Sequence, residues 1–190
     1  MFNRVVIPLL LFLPPVQAAE RTGAAVTVHP LATTAAQKVF QQGGNAVDAA
    51  VAAALTLGVV DGFNSGIGGG CFMLIRKPDG SLVAIDGRET APLKASRDMY
   101  LRGGKADPAL SRTGALAIGV PGALAAYDLA IREHGNIDLA EHLDQAAVIA
   151  EQGFALDNAY LRRLGQVVKK LRKFHGSAKI FLNPGQGKMF

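Results

Sequence analysis

The sequence predicts an α/β domain. Three observations carry this: an alanine-rich helical run behind Asn45, a β-hairpin turned at Lys77-Pro78-Asp79-Gly80, and a series of helical patterns downstream of a short apolar strand. The 190 residues suffice for one domain with its own core, and 49% hydrophobic with 18% charged residues fits a globular chain rather than a disordered one.

The elements follow in order. Met1 to Arg4 carry one positive charge, Val5 to Leu13 form an apolar run, Pro14-Pro15 break it, and Val16-Gln17-Ala18 supplies the small residues a signal peptidase reads. This predicts a signal peptide over 1–18, cleaved after Ala18, and a mature domain over 19–190. The apolar run is shorter than the ~20 residues of a membrane span, so the mature protein is expected in the periplasm or secreted, with no membrane partner. His29-Pro30 opens a helix over Leu31–Gln42, because proline suits the first helical position, and Gly43-Gly44 ends it. Asn45 caps a second helix from Ala46 to about Leu57, with Asp48 in its first turn, where the helix dipole favours a negative charge. That helix is apolar nearly all round, which predicts a core helix packed closely on a sheet.

Asn64-Ser65-Gly66-Ile67-Gly68-Gly69-Gly70 then places four glycines in five positions. Cys71–Arg76 and Ser81–Asp86 read as the two strands of a hairpin, since Pro78 fixes φ and Gly80 supplies the positive φ of the turn. The hairpin returns Arg88 to the glycine run. A planar guanidinium beside a closely approachable backbone suits a carboxylate, so Arg88 is the candidate for gripping an anionic handle on a small molecule. Ser96–Leu101 reads as one helical turn, 103–114 as loop, Ala115–Val120 as a strand, and Gly122–His134 as a helix. Asp138 with Glu141 predicts a capping box for the next helix, ended by Gly153, and Asp157 caps a final helix with the apolar stripe Leu161, Leu164, Val168 and Leu171. Past Gly176 no packed element is predicted. Three strands are few for such a core helix, so further strands are expected from elsewhere.

The lone cysteine, Cys71, excludes an internal disulfide and reads as a buried inert thiol. The net charge of +5 is regional: residues 161–190 hold eight Lys/Arg and no Asp or Glu, and the remainder balances at −3. Without interleaved aromatics or a nucleic-acid motif this basic run reads as a solvated helix face, so no nucleic acid is expected. The glycines follow a helix and open a strand, the reverse of a dinucleotide fingerprint.

The combination His29-Pro30-Leu31-Ala32, Gly43-Gly44-Asn45-Ala46-Val47-Asp48-Ala49-Ala50, Ser65-Gly66-Ile67-Gly68-Gly69-Gly70, Arg88-Glu89-Thr90-Ala91-Pro92 and Gly119-Val120-Pro121-Gly122 resembles the γ-glutamyltranspeptidase family from Gly23 to about Asn183. The resemblance implies an N-terminal-nucleophile hydrolase fold, an αββα sandwich of which this chain is the N-terminal portion. It also implies a precursor that cuts itself into two subunits. The threonine opening the small subunit attacks γ-glutamyl amides such as glutathione and passes the acyl group to water, an amino acid or a peptide. No metal or cofactor is implied. Arg88 matches the family arginine that pairs with the α-carboxylate of the glutamyl group, and Glu89 reads as a structural neighbour. No threonine of this chain matches the nucleophile, so no catalytic residue is assigned, and the small subunit carrying it is the implied partner. The fragment alone is expected to be inactive. A β-lactam acylase, a poly-γ-glutamate enzyme and a non-catalytic amino-acid-binding remnant remain as alternatives.

Overall fold

The computed structural model describes residues 23–182. The signal peptide expected over 1–18 and the turn expected at Asn183-Pro184-Gly185 lie outside them. The first helix, α1, is Pro30–Gln41, with the His29 Nδ1 accepting from the Leu31 N–H at 3.2 Å. α2 is Ala46–Val60, one turn longer than the sequence suggests. Its start is a complete capping box: Asn45 Oδ1 accepts from Val47 N–H at 2.7 Å and Asp48 N–H at 3.3 Å, and Asp48 Oδ2 accepts from Asn45 N–H at 2.7 Å.

The hairpin pairs β1 (Cys71–Arg76) with β2 (Leu82–Gly87) antiparallel, Cys71 opposite Gly87 and Arg76 opposite Leu82. A second, two-residue hairpin pairs β3 (Leu101–Arg102) with β4 (Lys105–Ala106) around Gly103-Gly104, both at positive φ. The single turn expected at Ser96–Leu101 is present as turn over 97–100, where Met99 N–H donates to Ser96 O at 3.3 Å and Leu101 N–H to Asp98 O at 3.0 Å, and the hairpin takes Leu101 and part of the loop expected after it. The helices α3 (Ala123–His134), α4 (Leu139–Gln152), α5 (Asn158–Leu171) and α6 (His175–Phe181) complete the order.

Three expectations need correction. Ala115–Val120 is no strand: Ala115–Ala117 winds into a single 3-10 turn, and only Val120 pairs, with Thr90. A six-residue apolar run has no period to decide between the two. The Asp138 side chain makes no cap bond at α4, so the expected capping box is absent. The chain past Gly176 is not bare, since α6 carries Gly176 as its second residue.

α2 is the axis of the core. One side meets α1 through Ala32, Ala36, Val39, Ala49, Ala52 and Ala53, where alanines let the backbones close up. Its other side meets α3 and α4 through Val51, Leu55, Ala123, Tyr127, Ile131 and Ala146. α2 is thus flanked mainly by helices, but it also meets the hairpin as expected of a core helix on a sheet: Val47 shares a cluster with Ile85, and Cys71 and Met73 pack against the cluster of Val51 and Leu55. α3 carries the hairpin on Ala126 and Ala130 against Ile85, Met73, Ile75 and Val83. The hairpin therefore has one dressed face and one bare one. The bare face shows Phe72 (65% exposed), Leu74 (80%) and Leu82 (71%).

Asp48 fastens this arrangement. Its side chain is fully buried, and Oδ1 accepts from the Asn136 N–H at 3.0 Å and the Ile137 N–H at 3.1 Å in the α3–α4 turn. The Asn45 side-chain amide donates to the His134 carbonyl at 2.7 Å. One carboxylate thus satisfies backbone donors from two distant segments. The buried His142 ring approaches it, Nε2 standing 3.7 Å from Oδ1, beyond hydrogen-bond range. On α5 no residue is fully buried: Leu161 is exposed while Leu164, Val168 and Leu171 are partly covered, and the helix carries Tyr160 edge-on to Phe63 at 5.5 Å and Phe154 at 6.5 Å. Among the described residues no helix is long and apolar enough to cross a membrane.

Candidate functional site

The site is built at the end of β2, where three backbone segments meet. The glycine run leaves α2, crosses over, and enters β1. At the crossing, Gly69 O accepts from both the Gly122 N–H and the Ala123 N–H at 3.1 Å, which ties the loop to the start of α3. Residues 87–90 lie between these two segments. A Cβ on Gly70 would stand 2.8 Å from Gly87 O and 2.9 Å from Arg88 Cα. A Cβ on Gly122 would stand 2.5 Å from Gly87 O and 2.8 Å from Arg88 O. These are backbone contacts closer than any side chain permits. Gly70 and Gly122 are therefore required by space, and Gly122 has an ordinary αR conformation at φ −115°. The Thr90–Val120 bridge closes the same seam one step on, with N–H to carbonyl bonds of 3.2 and 2.9 Å.

The sequence expectation placed Arg88 near the glycine run, and the backbone does sit there. The side chain goes elsewhere. Arg88 is exposed, its guanidinium carbon lies over the Phe72 ring at 5.8 Å from the centroid, and its backbone N–H donates to Asp86 Oδ1 at 3.0 Å. Among the described residues no carboxylate forms an ion pair with it.

Glu89 points the other way, as alternation along an extended chain requires. Its carboxylate lies against Gly69 and Gly70, and its Cβ stands 3.1 Å from where a Cβ on Gly119 would be. Glu89, rather than Arg88, lines the cleft of about 660 Å³ that opens beneath the glycine run. Ala54, Leu57, Phe63 and Tyr127 give that cleft its apolar wall, and Asn64, Ser65 and Cys71 add polar atoms. Residue order gave Glu89 as a neighbour of Arg88, but its place in the cleft depends on a fold of distant segments that no local pattern reveals.

Cys71 sits half-buried at the head of β1. Burial pushes its thiol up; the Tyr127 hydroxyl pulls it down by less, and the Asp86 carboxylate adds to the rise. A thiol held protonated is a poor nucleophile, which agrees with the inert role read from sequence. Burial likewise raises the Tyr127 hydroxyl, with Cys71 contributing. Taken together, the seam can present one cation to an anionic group, and among the described residues the Cys71 thiol there is held protonated by burial.

Comparison with known proteins gives a consistent result. The family model described as Gamma-glutamyltranspeptidase matches residues 32–190. The glutathione hydrolase proenzyme of Escherichia coli (strain K12) is 38% identical over 174 residues, which cover 90% of this chain and 30% of that protein. The acylase ACY 1 proenzyme of Pseudomonas sp. (strain V22) is 39% identical over 176 residues, covering 89% of this chain and 32% of that protein. Among solved structures, the Helicobacter pylori gamma-glutamyltranspeptidase superposes with a TM-score of 0.82 at 40% identity, covering 86% of this chain and 47% of that one. The chain thus spans about three-tenths of the length of the curated relatives it matches.

Proposed function

This chain belongs to the gamma-glutamyltranspeptidase family, and we propose that it is the N-terminal part of the large subunit of a secreted or periplasmic glutathione hydrolase. In this reading Arg88 grips the α-carboxylate of a γ-glutamyl donor. A second subunit supplies the threonine that takes the acyl group and hands it to water, an amino acid or a peptide. Two parallel N–H bonds from the guanidinium would fix the carboxylate and so set the distance from the amide carbon to the nucleophile. The observation that carries the reading is the Arg88 guanidinium, paired with no carboxylate among the described residues, on a backbone clamped by Gly70 and Gly122. An arginine kept on a rigid seam without a carboxylate of its own is suited to one that arrives with the substrate.

The finer architecture belongs to the same proposal. The turn-side part of the bare hairpin face, at Leu74 and Leu82, would be covered by a second sheet from the remainder of the precursor, giving the αββα sandwich. An acylase of the same family is the second reading, favoured by an identity of 39% to the Pseudomonas acylase beside 38% to the hydrolase.

The test is activity toward a γ-glutamyl anilide. The 190-residue chain alone should release no chromogen. The full-length precursor carrying this segment should mature and release it, and Arg88→Ala should raise KM steeply. Turnover by the isolated chain, or an Arg88→Ala enzyme with unchanged KM, would overturn the proposal. A preference for glutaryl over γ-glutamyl amides would select the acylase.

A further inference from the structure

We infer that Phe72 is a positioning residue for the substrate carboxylate, acting through the Arg88 side chain; this rests on the reading of Arg88 given above. Phe72 pairs across the hairpin with Asp86, and Arg88 follows Asp86 by two residues, so all three stand on the same face. The strand underneath is rigid: Cys71 and Met73, on either side of Phe72, are packed into the core against α3. Phe72 itself faces outward, 65% exposed, and the Arg88 guanidinium carbon lies over its ring at 5.8 Å.

An aromatic side chain this exposed has no packing role among the described residues, but it does have an electrostatic one. The negative face of the ring attracts the guanidinium. At 5.8 Å from the centroid the contact is a cation–π attraction, and among the described residues no carboxylate occupies the guanidinium N–H groups, which are the groups a carboxylate takes bidentately. The long arginine stem otherwise has many rotamers to lose on binding. The ring restricts them before the substrate arrives. The Asp86 carboxylate, taken up by the Arg88 backbone N–H at 3.0 Å, fixes the base of the same side chain.

The experiment uses the full-length precursor with Phe72→Leu, which keeps most of the volume and removes the π face, and Phe72→Tyr, which keeps the face. Maturation into two subunits reports folding. Inhibition by L-glutamate is compared with inhibition by γ-aminobutyrate, which has the same skeleton without the α-carboxylate. Phe72→Leu should weaken L-glutamate binding about two- to fivefold, the size of an exposed cation–π contact. It should leave γ-aminobutyrate binding and kcat unchanged, and Phe72→Tyr should match the parent. Unchanged L-glutamate binding in Phe72→Leu, or equal weakening toward both inhibitors, would overturn the inference. If Phe72→Leu does not mature, Phe72→Met carries the same comparison. Arg88→Ala is run alongside: if it too leaves L-glutamate binding intact, the Arg88 reading itself fails, whereas loss there with an intact Phe72→Leu enzyme removes Phe72 alone.

Discussion

Gly122→Ala is a strong test of the seam. Gly122 already has a conformation open to any residue, φ −115° and ψ −13°, so the added methyl brings no backbone strain. Its only obstacle is space. The new Cβ would stand 2.5 Å from Gly87 O, 2.8 Å from Arg88 O and 2.9 Å from Gly87 C. Restoring an ordinary van der Waals separation requires the end of β2 to retreat by about 0.9 Å. These are main-chain atoms, so no rotamer change can absorb the shift. Overpacking of this kind costs about 1–3 kcal/mol. The lower entropy of an unfolded alanine offsets roughly 0.4–1 kcal/mol of it. A net loss of about 1–2 kcal/mol follows, read from the urea midpoint at unchanged m-value. The functional effect should be larger than the stability effect. If Arg88 holds the substrate as proposed, a displacement near 1 Å there costs on the order of 100-fold in turnover efficiency, measured as kcat/KM on the γ-glutamyl anilide with the full-length precursor. Gly68→Ala is the control, since no atom lies within 4 Å of its added Cβ; it should behave as the parent. A Gly122→Ala enzyme with parental stability and parental kcat/KM would refute the spatial argument.

Further outcomes can be checked directly. Asp48→Ala removes the acceptor of the Asn45, Asn136 and Ile137 N–H groups and should cost about 3–5 kcal/mol in urea unfolding; a loss under about 1 kcal/mol would show that water replaces the carboxylate. Cys71, with its thiol raised by burial, should react with iodoacetamide more slowly at pH 8 than a free thiol does. The sign is fixed by that rise: folding is favoured by the neutral thiol below the unfolded value, and this contribution fades as pH climbs through the folded one. Thiol reaction at the model-thiol rate would contradict the burial. Leu74→Lys on the bare face should reduce self-association of the isolated chain in sedimentation without lowering its melting temperature, because Leu74 is 80% exposed.

What the sequence disclosed is what local chemistry decides. α1, α2 and the first hairpin were legible because Pro30, the Asn45–Asp48 box and the Pro78–Gly80 turn each act within four residues. The hairpin in turn brought the Arg88 backbone back beside Gly70, so that juxtaposition was legible too. Elements without such signals were lost. The β3–β4 hairpin is only two residues a side, although the positive φ of Gly103 and Gly104 was a signal that could have found it. α6 was hidden by a glycine inside it, since Gly176 reads as a stop. The Asp48 bonds to Asn136 and Ile137 cross 88 and 89 positions, a pairing that capping rules do not reach. Phe72 under Arg88 could have been found: two-residue alternation through the Asp86 pair puts both on one face. The cleft lined by Glu89 could not, because its walls come from α2, the glycine run and α3 at once.

The crowding of Gly70 and Gly122 upon main-chain atoms has a consequence for how such enzymes diversify. On the proposed reading of Arg88, an anchor set by carbonyl oxygens and α-carbons would be blind to whatever acyl group is being processed. Side chains around the rest of the cavity can change, and with them the preferred donor, while the guanidinium keeps its address. Efforts to retarget the chemistry should therefore leave these two positions alone and mutate the walls.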